Sequence, residues 1–258
     1  MADAWVWLAT ENNVKVGVTT SRRQLTTSTV VVAAERALLV DPAWEPDELD
    51  WIAADLARRG LQISGFATHA HHDHVLWHPR LGGGPRWAST AAAATARTTR
   101  GALVDALGVN WPADLAGLVG ALTPVDGARL PWPGAAITMI THDAHSPGHT
   151  ALWLAGPQVL IAGDMLSDVE LPLLGEETLA EYSAGLLALR PFVDRAEIVI
   201  PGHGRLATGS AARKRWAADR AYVDALSATE HFDDPRRTLP NMAEAHSYNV
   251  SHAGQDVS

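Results

Sequence analysis

The chain contains no cysteine among its 258 residues. Disulfide bonds and thiolate metal sites are therefore excluded, and any metal ion must be held by histidine and carboxylate side chains. Nitrogen and oxygen donors of this kind suit zinc, iron or manganese.

Positive charge is also scarce. Lys and Arg number 20 against 29 Asp and Glu, which gives a formal net charge of -9. The basic residues are scattered apart from one short cluster, Arg213-Lys214-Arg215. Because this charge balance would repel a phosphate backbone, the sequence predicts no nucleic-acid partner.

Long hydrophobic runs are missing as well. No uncharged apolar stretch approaches the ~20 residues that a membrane span needs, and no basic leader followed by an apolar stretch opens the chain. We therefore expect a cytoplasmic protein with no membrane partner. Apolar residues still make up 47% of the chain, enough for a sizeable core. The length favours a single domain over residues 1–258, with an irregular polar tail from about residue 234.

Short β-branched runs and segments with helical periodicity alternate along the chain. Strands are predicted at 14–19, 28–33, 37–41, 61–68, 135–141, 151–155, 158–162 and 197–200. Helices are predicted at 47–59, 89–107, 176–189 and 210–226. The order of strands followed by a helix recurs in each half, which predicts an α+β fold whose halves pack face to face.

A histidine-rich segment follows directly after the apolar strand that ends near Thr68: His69-Ala70-His71-His72-Asp73-His74. Residues two apart in an extended or turning backbone point the same way, so His69 and His71 can reach one metal ion. Asp73 and His74 can then turn toward a second ion. The same geometry directs His72 away from the metals.

Three further motifs end or interrupt apolar strands: Ser146-Pro147-Gly148-His149-Thr150, Ala162-Gly163-Asp164 and Pro201-Gly202-His203-Gly204. Strand ends on one edge of a sandwich converge, so these side chains can meet the histidine-rich segment in one cleft. The predicted metal ligands are His69, His71, Asp73, His74, His149, Asp164 and His203. The neighbouring His142, Asp143 and His145 are predicted to be solvated loop residues, the alternative being that they bind substrate or tune the metals.

The pattern H-x-H-x-D-H with these three motifs resembles the metallo-β-lactamase superfamily, and within it most closely the glyoxalase II-like hydrolases, over roughly residues 41–203. The resemblance implies a four-layer αββα sandwich and two divalent metal ions, with zinc favoured over iron or manganese. It assigns one ion to His69, His71 and His149, the other to Asp73, His74 and His203, and a bridging role to Asp164. Asp41 matches the family's strand-end aspartate, which supports the geometry of the ligands without binding metal.

Two cations lower the pKa of a water between them and stabilise the charge that develops on a carbonyl under attack. We therefore predict a hydrolase whose metal-bridging hydroxide cleaves an ester, thioester or lactone of a small-molecule acyl substrate. Asp73 is the predicted catalytic residue, which orients the hydroxide and moves a proton. The alternatives are a mononuclear iron oxidoreductase of the persulfide dioxygenase type and a β-lactamase-like hydrolase. Trp77, Trp87, Trp111 and Trp132 either line an acyl pocket or belong to the core, and the sequence leaves the oligomeric state open.

Overall fold

The computed structural model describes residues 4–11, 13–175, 177–230 and 232–253. Within these ranges, twelve strands form two sheets. The strands are β1 (Val6–Glu11), β2 (Val14–Thr20), β3 (Thr27–Ala33), β4 (Arg36–Val40), β5 (Gln62–Phe66), β6 (Arg86–Ser89), β7 (Thr123–Val125), β8 (Thr138–His142), β9 (His149–Leu154), β10 (Val159–Gly163), β11 (Ile198–Pro201) and β12 (Ala207–Thr208). The α-helices are α1 (Pro46–Arg58), α2 (Thr90–Thr98), α3 (Arg100–Leu107), α4 (Ala113–Ala116), α5 (Leu179–Val193), α6 (Gly209–Ser227) and α7 (Met242–Ala253).

The first sheet contains β1 to β7 in chain order. Its strands are antiparallel from β1 to β4 and parallel from β4 to β7. The second sheet has the order β12-β11-β10-β9-β8, in which β10 and β11 are parallel and the other pairs antiparallel. Parallel neighbours end at the same edge of a sheet. The segments that follow β4 and β5 therefore leave the first sheet together, as those after β10 and β11 leave the second.

The two sheets pack face to face, with helices on both outer surfaces. Strand β10 shows the arrangement: Val159 and Ile161 pack in the cluster between the sheets, whereas Leu160 and Ala162 pack in the cluster that contains α5 and α6. This alternation is the two-residue period of a strand that is buried on both faces. On the outer side of the first sheet, α1 packs against β3 and β4. The four-layer αββα sandwich predicted from the sequence is thus confirmed.

Helix α1 begins and ends where the sequence predicts. Pro46 occupies its first turn, and the Glu48 carboxylate accepts a hydrogen bond from the backbone N–H of Glu45 at 3.2 Å, which closes a capping box. Gly60, with φ +66°, follows the helix. The helix predicted at 89–107 is present as two helices, α2 and α3, which meet at Thr99; Ser89 is the last residue of strand β6.

The sequence suggested an irregular tail from about residue 234, but the structure has helices there. A short 3-10 helix (Pro235–Thr238) leads into α7. The Arg236 guanidinium is buried, and it donates to Asp219 at 2.6 Å, to Asp234 at 2.8 Å and to the carbonyl oxygens of Ser167 and Glu170. The polar composition of this segment suggested an irregular tail because the partners of its buried polar groups lie far away in the sequence. Residues 254–258 of the predicted tail, and residue 176 at the start of the helix predicted at 176–189, lie outside the described residues.

In the described ranges, no helix combines the length and the apolar character that crossing a bilayer requires.

Candidate metal centre

The histidine-rich segment turns at the end of β5, and the Asp41 carboxylate holds that turn. One oxygen of Asp41 accepts from the Thr68 backbone N–H at 2.8 Å, and the other accepts from the Thr68 hydroxyl at 2.6 Å. The second oxygen also lies 3.0 Å from Nδ1 of His74. Because Nδ1 of His74 is engaged in this way, its Nε2 faces inward. Asp41 thus contacts His74 and is not part of either cluster of potential ligands.

Four donors converge around a first position. Nδ1 of His71 lies 3.0 Å from Nε2 of His69 and 3.1 Å from Nε2 of His145. Oδ2 of Asp164 lies 3.4 Å from the His69 nitrogen and 3.2 Å from the His145 nitrogen. Donors at the corners of a tetrahedron around zinc, with bonds of ~2.0 Å, would be about 3.3 Å apart. The spacing of this cluster therefore fits a tetrahedral metal ion.

A second cluster lies beside the first. Oδ2 of Asp73 is 3.3 Å from Nε2 of His74 and 3.2 Å from Nε2 of His203, and these two nitrogens are 3.3 Å apart. The backbone carbonyl of Gln24 accepts from Nδ1 of His203 at 3.1 Å. Because this contact engages Nδ1, Nε2 of His203 is directed into the cluster. The contact between Asp41 and Nδ1 of His74 has the same effect on that ring. These spacings also match the edges of a tetrahedron.

Asp164 lies between the two clusters. Its Oδ1 is 3.2 Å from Nε2 of His74, whereas its Oδ2 faces His69 and His145 and also lies 3.4 Å from Nε2 of His203. Oδ1 is buried and makes no hydrogen bond within the described part of the chain, so a cation would satisfy it. Gly163 precedes the carboxylate, and a Cβ atom there would lie 2.4 Å from Nε2 of His149. A Cβ atom on Gly202 would collide with Asp164 itself, so both strand ends need glycine to approach this closely.

His145 occupies the position for which the sequence analysis chose His149. His149 is the first residue of β9, and its Nε2 accepts the backbone N–H of Asp164 at 3.1 Å. Its ring stacks on His142 with centroids 4.8 Å apart, and it does not join either cluster of potential metal ligands. His145 is only 4% exposed, so the prediction of a solvated loop residue is wrong.

The loop geometry explains why the sequence analysis missed His145. His145 has φ +69°, a left-handed conformation that a residue other than glycine adopts at a cost. The Asp143 carboxylate accepts from the Gly148 backbone N–H at 2.8 Å and closes the loop around it. A signal was available, because the apolar run after His149 makes that residue part of a strand. His145, four positions earlier, is the one left in the loop.

The two clusters differ in charge. Burial lowers the pKa of His69 well below 6.5 and that of His71 to about 3. Burial acts in the same direction on His74 and His203, but Asp164 and the neighbouring carboxylates outweigh it and raise the pKa of both well above 6.5. Those imidazolium charges also outweigh the effect of burial on Asp164, whose pKa is well below 3.8. Without metal, His69 and His71 are therefore neutral, whereas His74 and His203 are protonated.

The remaining candidates lie outside the clusters. His72 packs its ring against Trp44 with centroids 5.0 Å apart, which agrees with its predicted orientation away from the metals. Trp77, Trp87 and Trp132 are buried in hydrophobic clusters of the sandwich. These three tryptophans belong to the core, the second of the two roles considered for them.

Comparison with known proteins agrees with the fold. A sequence model of the metallo-beta-lactamase superfamily matches residues 22–203, which include every residue of both clusters. A metallo-beta-lactamase family protein from Thermus thermophilus is similar in structure, with a TM-score of 0.62 and 18% identity over 98% of this chain and 93% of that one. A beta-lactamase domain protein from Burkholderia ambifaria has a TM-score of 0.61 and 21% identity over 86% of this chain and 74% of that one. The metallo-beta-lactamase FIM-1 from Pseudomonas aeruginosa, in a mono-zinc form, has a TM-score of 0.60 and 17% identity over 87% and 97% of the two chains. With a family match that covers more than half of its length, this chain belongs to the metallo-beta-lactamase superfamily.

Proposed function

We propose that this protein is a dinuclear metal-dependent hydrolase that cleaves an ester, thioester or lactone carbonyl, as glyoxalase II-like enzymes of the superfamily do. Asp164 is the observation that carries the proposal. Its Oδ2 lies 3.2 Å from His145 and its Oδ1 lies 3.2 Å from His74, so one carboxylate faces two complete sets of donors. A carboxylate has two oxygens to share between cations, and its negative charge offsets the repulsion between them.

Zinc is the ion that we assign to both positions. Imidazole and carboxylate donors at tetrahedral spacing suit zinc, and a structural relative, FIM-1, is described in a mono-zinc form. The first ion would be held by His69, His71 and His145, the second by Asp73, His74 and His203, and Asp164 would be shared. Bound there, the ions would lower the pKa of a water and stabilise negative charge on the substrate carbonyl.

Asp73 is the residue that we assign to proton movement. Burial raises its pKa, but His74 and His203 outweigh that effect and hold it well below 3.8, so the carboxylate is ionised at neutral pH. Its second oxygen, Oδ1, lies 3.7 Å from Nδ1 of His72 and is assigned to accept a hydrogen bond from an attacking water. A carboxylate in that position orients the water and carries its proton toward the leaving group.

The second cluster also favours hydrolysis over the other reactions considered. A mononuclear iron oxygenase of the persulfide dioxygenase type needs one set of ligands, whereas here Asp73, His74 and His203 form a further set with donors within 4.8 Å of one another. The similarity to β-lactamases such as FIM-1, at 17% identity, shows a shared fold and does not favour β-lactam hydrolysis over the proposed reaction.

Metal analysis combined with a substrate panel tests the proposal. The purified protein, saturated with zinc, should bind two ions per chain and hydrolyse at least one member of a panel of esters, thioesters and lactones. Asp164→Asn should hold about one ion and lose at least ~100-fold in kcat/KM, the scale of losing one electrostatic element of an active site. The control is Asp194→Asn, an exposed aspartate paired with Arg190, which should behave as the wild type. One ion in the saturated wild type together with oxygen consumption on persulfides would overturn the proposal.

A further inference from the structure

An open cavity of about 570 Å³ lies next to the second cluster, and its wall is mostly apolar. Four segments form it: the loop between β2 and β3, the loop after β10, the loop between β11 and β12, and the stretch that leads into α7. The apolar lining residues are Leu25, Val169, Leu173, Leu239, Pro240, Met242 and Ala245. A volume of this size is in the range that holds a small organic ligand.

The cavity reaches the second cluster through His203. Gln24 and Glu170 both line it, and each also contacts His203: the Gln24 carbonyl accepts from Nδ1 of that ring at 3.1 Å, and Oε1 of Glu170 lies 4.0 Å from it. The backbone carbonyl of Leu25 accepts a hydrogen bond from the backbone N–H of Gly204, the residue after His203, at 3.0 Å. A carboxylate oxygen of Glu170 also lies within 4.8 Å of donor atoms of Asp164 and His203, so this end of the cavity is adjacent to the second cluster.

The wall is held in place by buried polar contacts. Arg236 donates to the carbonyls of Ser167 and Glu170, and Sδ of Met242 accepts the Leu171 backbone N–H at 3.3 Å. Asn249 of α7 accepts from the Leu174 N–H at 3.1 Å. These bonds attach α7 to the loop after β10. The cavity is therefore formed before a ligand enters, which lowers the cost of ordering the site on binding.

We propose that this cavity binds an unbranched apolar chain of the substrate, and that the protein selects long-chain over short-chain acyl compounds. The proposal rests on the hydrolase function proposed above. Polar lining groups are confined to the His203 end and to the rim, where Arg205 is 78% exposed in its side chain. A chain buried along the wall gains affinity with each methylene, about three- to fourfold.

Ester hydrolysis by the zinc-loaded protein gives the first test. Across methyl butanoate, methyl hexanoate and methyl nonanoate, kcat/KM should rise by about three- to fourfold per methylene until the cavity is filled. Octyl acetate, an isomer of methyl nonanoate with the chain on the leaving group, shows which side of the ester enters the cavity. Equal kcat/KM values for all chain lengths would overturn the proposal.

Variants link this selectivity to the cavity. Ala245→Trp places an indole in the cavity and should lower the ratio of kcat/KM for the preferred long ester to that for methyl butanoate at least tenfold. Ala243→Trp lies on an exposed position of the same helix and should keep the wild-type ratio. Leu173→Gln, which adds a polar group to the opposite wall, should lower the ratio in the same direction and covers the case in which Ala245→Trp does not fold. A wild-type ratio in both cavity variants would contradict the proposal.

Binding of 1-octanol, measured by calorimetry, separates failure of the cavity proposal from failure of the hydrolase proposal. Octanol carries the chain without a hydrolysable carbonyl. Binding to the wild type and to Ala243→Trp, weakened at least tenfold in Ala245→Trp, supports the cavity even if no ester is cleaved, and only the hydrolase proposal then fails. Ester hydrolysis without octanol binding overturns the cavity proposal and leaves the hydrolase intact.

Discussion

Nε2 of His149 accepts a hydrogen bond from the backbone N–H of Asp164 at 3.1 Å, so the atom that would bind a metal is occupied by the backbone of the bridging residue. Burial holds the pKa of His149 well below 6.5, so this ring is neutral and free to accept. His149 therefore positions Asp164, while His145 presents its own Nε2 to His71 and Asp164.

The first prediction separates these two roles. His145→Ala should reduce zinc binding to about one ion per chain and lower kcat/KM by at least ~100-fold, because a donor is lost. His149→Ala should still bind two ions, with a lower melting temperature because a buried hydrogen bond and ring stacking are lost. Metal analysis of both purified variants decides the matter. Loss of an ion in His149→Ala but not in His145→Ala would show that the sequence analysis had chosen the right histidine.

The second prediction concerns Asp41. Asp41→Asn keeps the size of the side chain but removes the negative charge beside Nδ1 of His74, where the separation is 3.0 Å. The second zinc ion should bind ~10- to 100-fold more weakly, as is typical when a group that orients a metal ligand is altered. Competition titration with a chromophoric chelator measures this affinity. The first ion should weaken less, because Asp41 reaches the ligands of that ion only through Thr68; equal weakening of both ions would contradict a direct role at His74.

The third prediction is a pH dependence of metal loading. The raised pKa values of His74 and His203 mean that protons compete for the second cluster already near neutral pH, whereas His69 and His71, with lowered pKa values, are unprotonated there. As pH falls from about 8 to 6, the second ion should weaken by about tenfold per unit for each proton displaced, and the first ion much less. Metal titrations at several pH values follow both ions. Loss of the first ion at a higher pH than the second would contradict this assignment of charge.

The fourth prediction concerns the buried Arg236. Arg236→Ala leaves Asp219, which is 2% exposed, without its cation, and should reduce the free energy of unfolding by about 3–5 kcal/mol. Arg237→Ala, which removes a single hydrogen bond to the Phe232 carbonyl, should cost less than about 1.5 kcal/mol. Urea denaturation of the two variants gives the comparison. If the two variants lost equal free energies of unfolding, the buried ion pairs of Arg236 would contribute no more to stability than the single hydrogen bond of Arg237.

Local patterns were enough to predict much of the fold and of the centre. Pro46 and Gly60 mark the ends of α1 in the sequence as in the structure, because capping depends on neighbouring residues. The apolar run predicted as a strand at 158–162 likewise forms β10. The donors of the segment from His69 to His74 could be divided between two clusters from the sequence alone, since they lie on one turn after β5.

Features that depend on distant contacts were missed. His145 reaches His71 across 74 positions in the sequence, and only the folded loop shows that it does so instead of His149. Helix α7 looked like a polar tail because Asn249 and Arg236 satisfy their polar groups on the loop after β10. The cavity against His203 could not be foreseen for the same reason, because its walls come from four separate parts of the chain.

The attachment of α7 by Arg236 has a consequence for how substrate range can change. Arg236 donates hydrogen bonds to two backbone carbonyl oxygens of the loop after β10. These contacts do not depend on which side chains that loop carries. The metal donors all fall between residues 69 and 203, whereas much of the apolar wall comes from residues 239–245. Part of the proposed chain-binding wall is thus encoded after the last potential metal donor. Exchange of a few residues at the start of α7 would reshape the cavity while every metal donor stays in place.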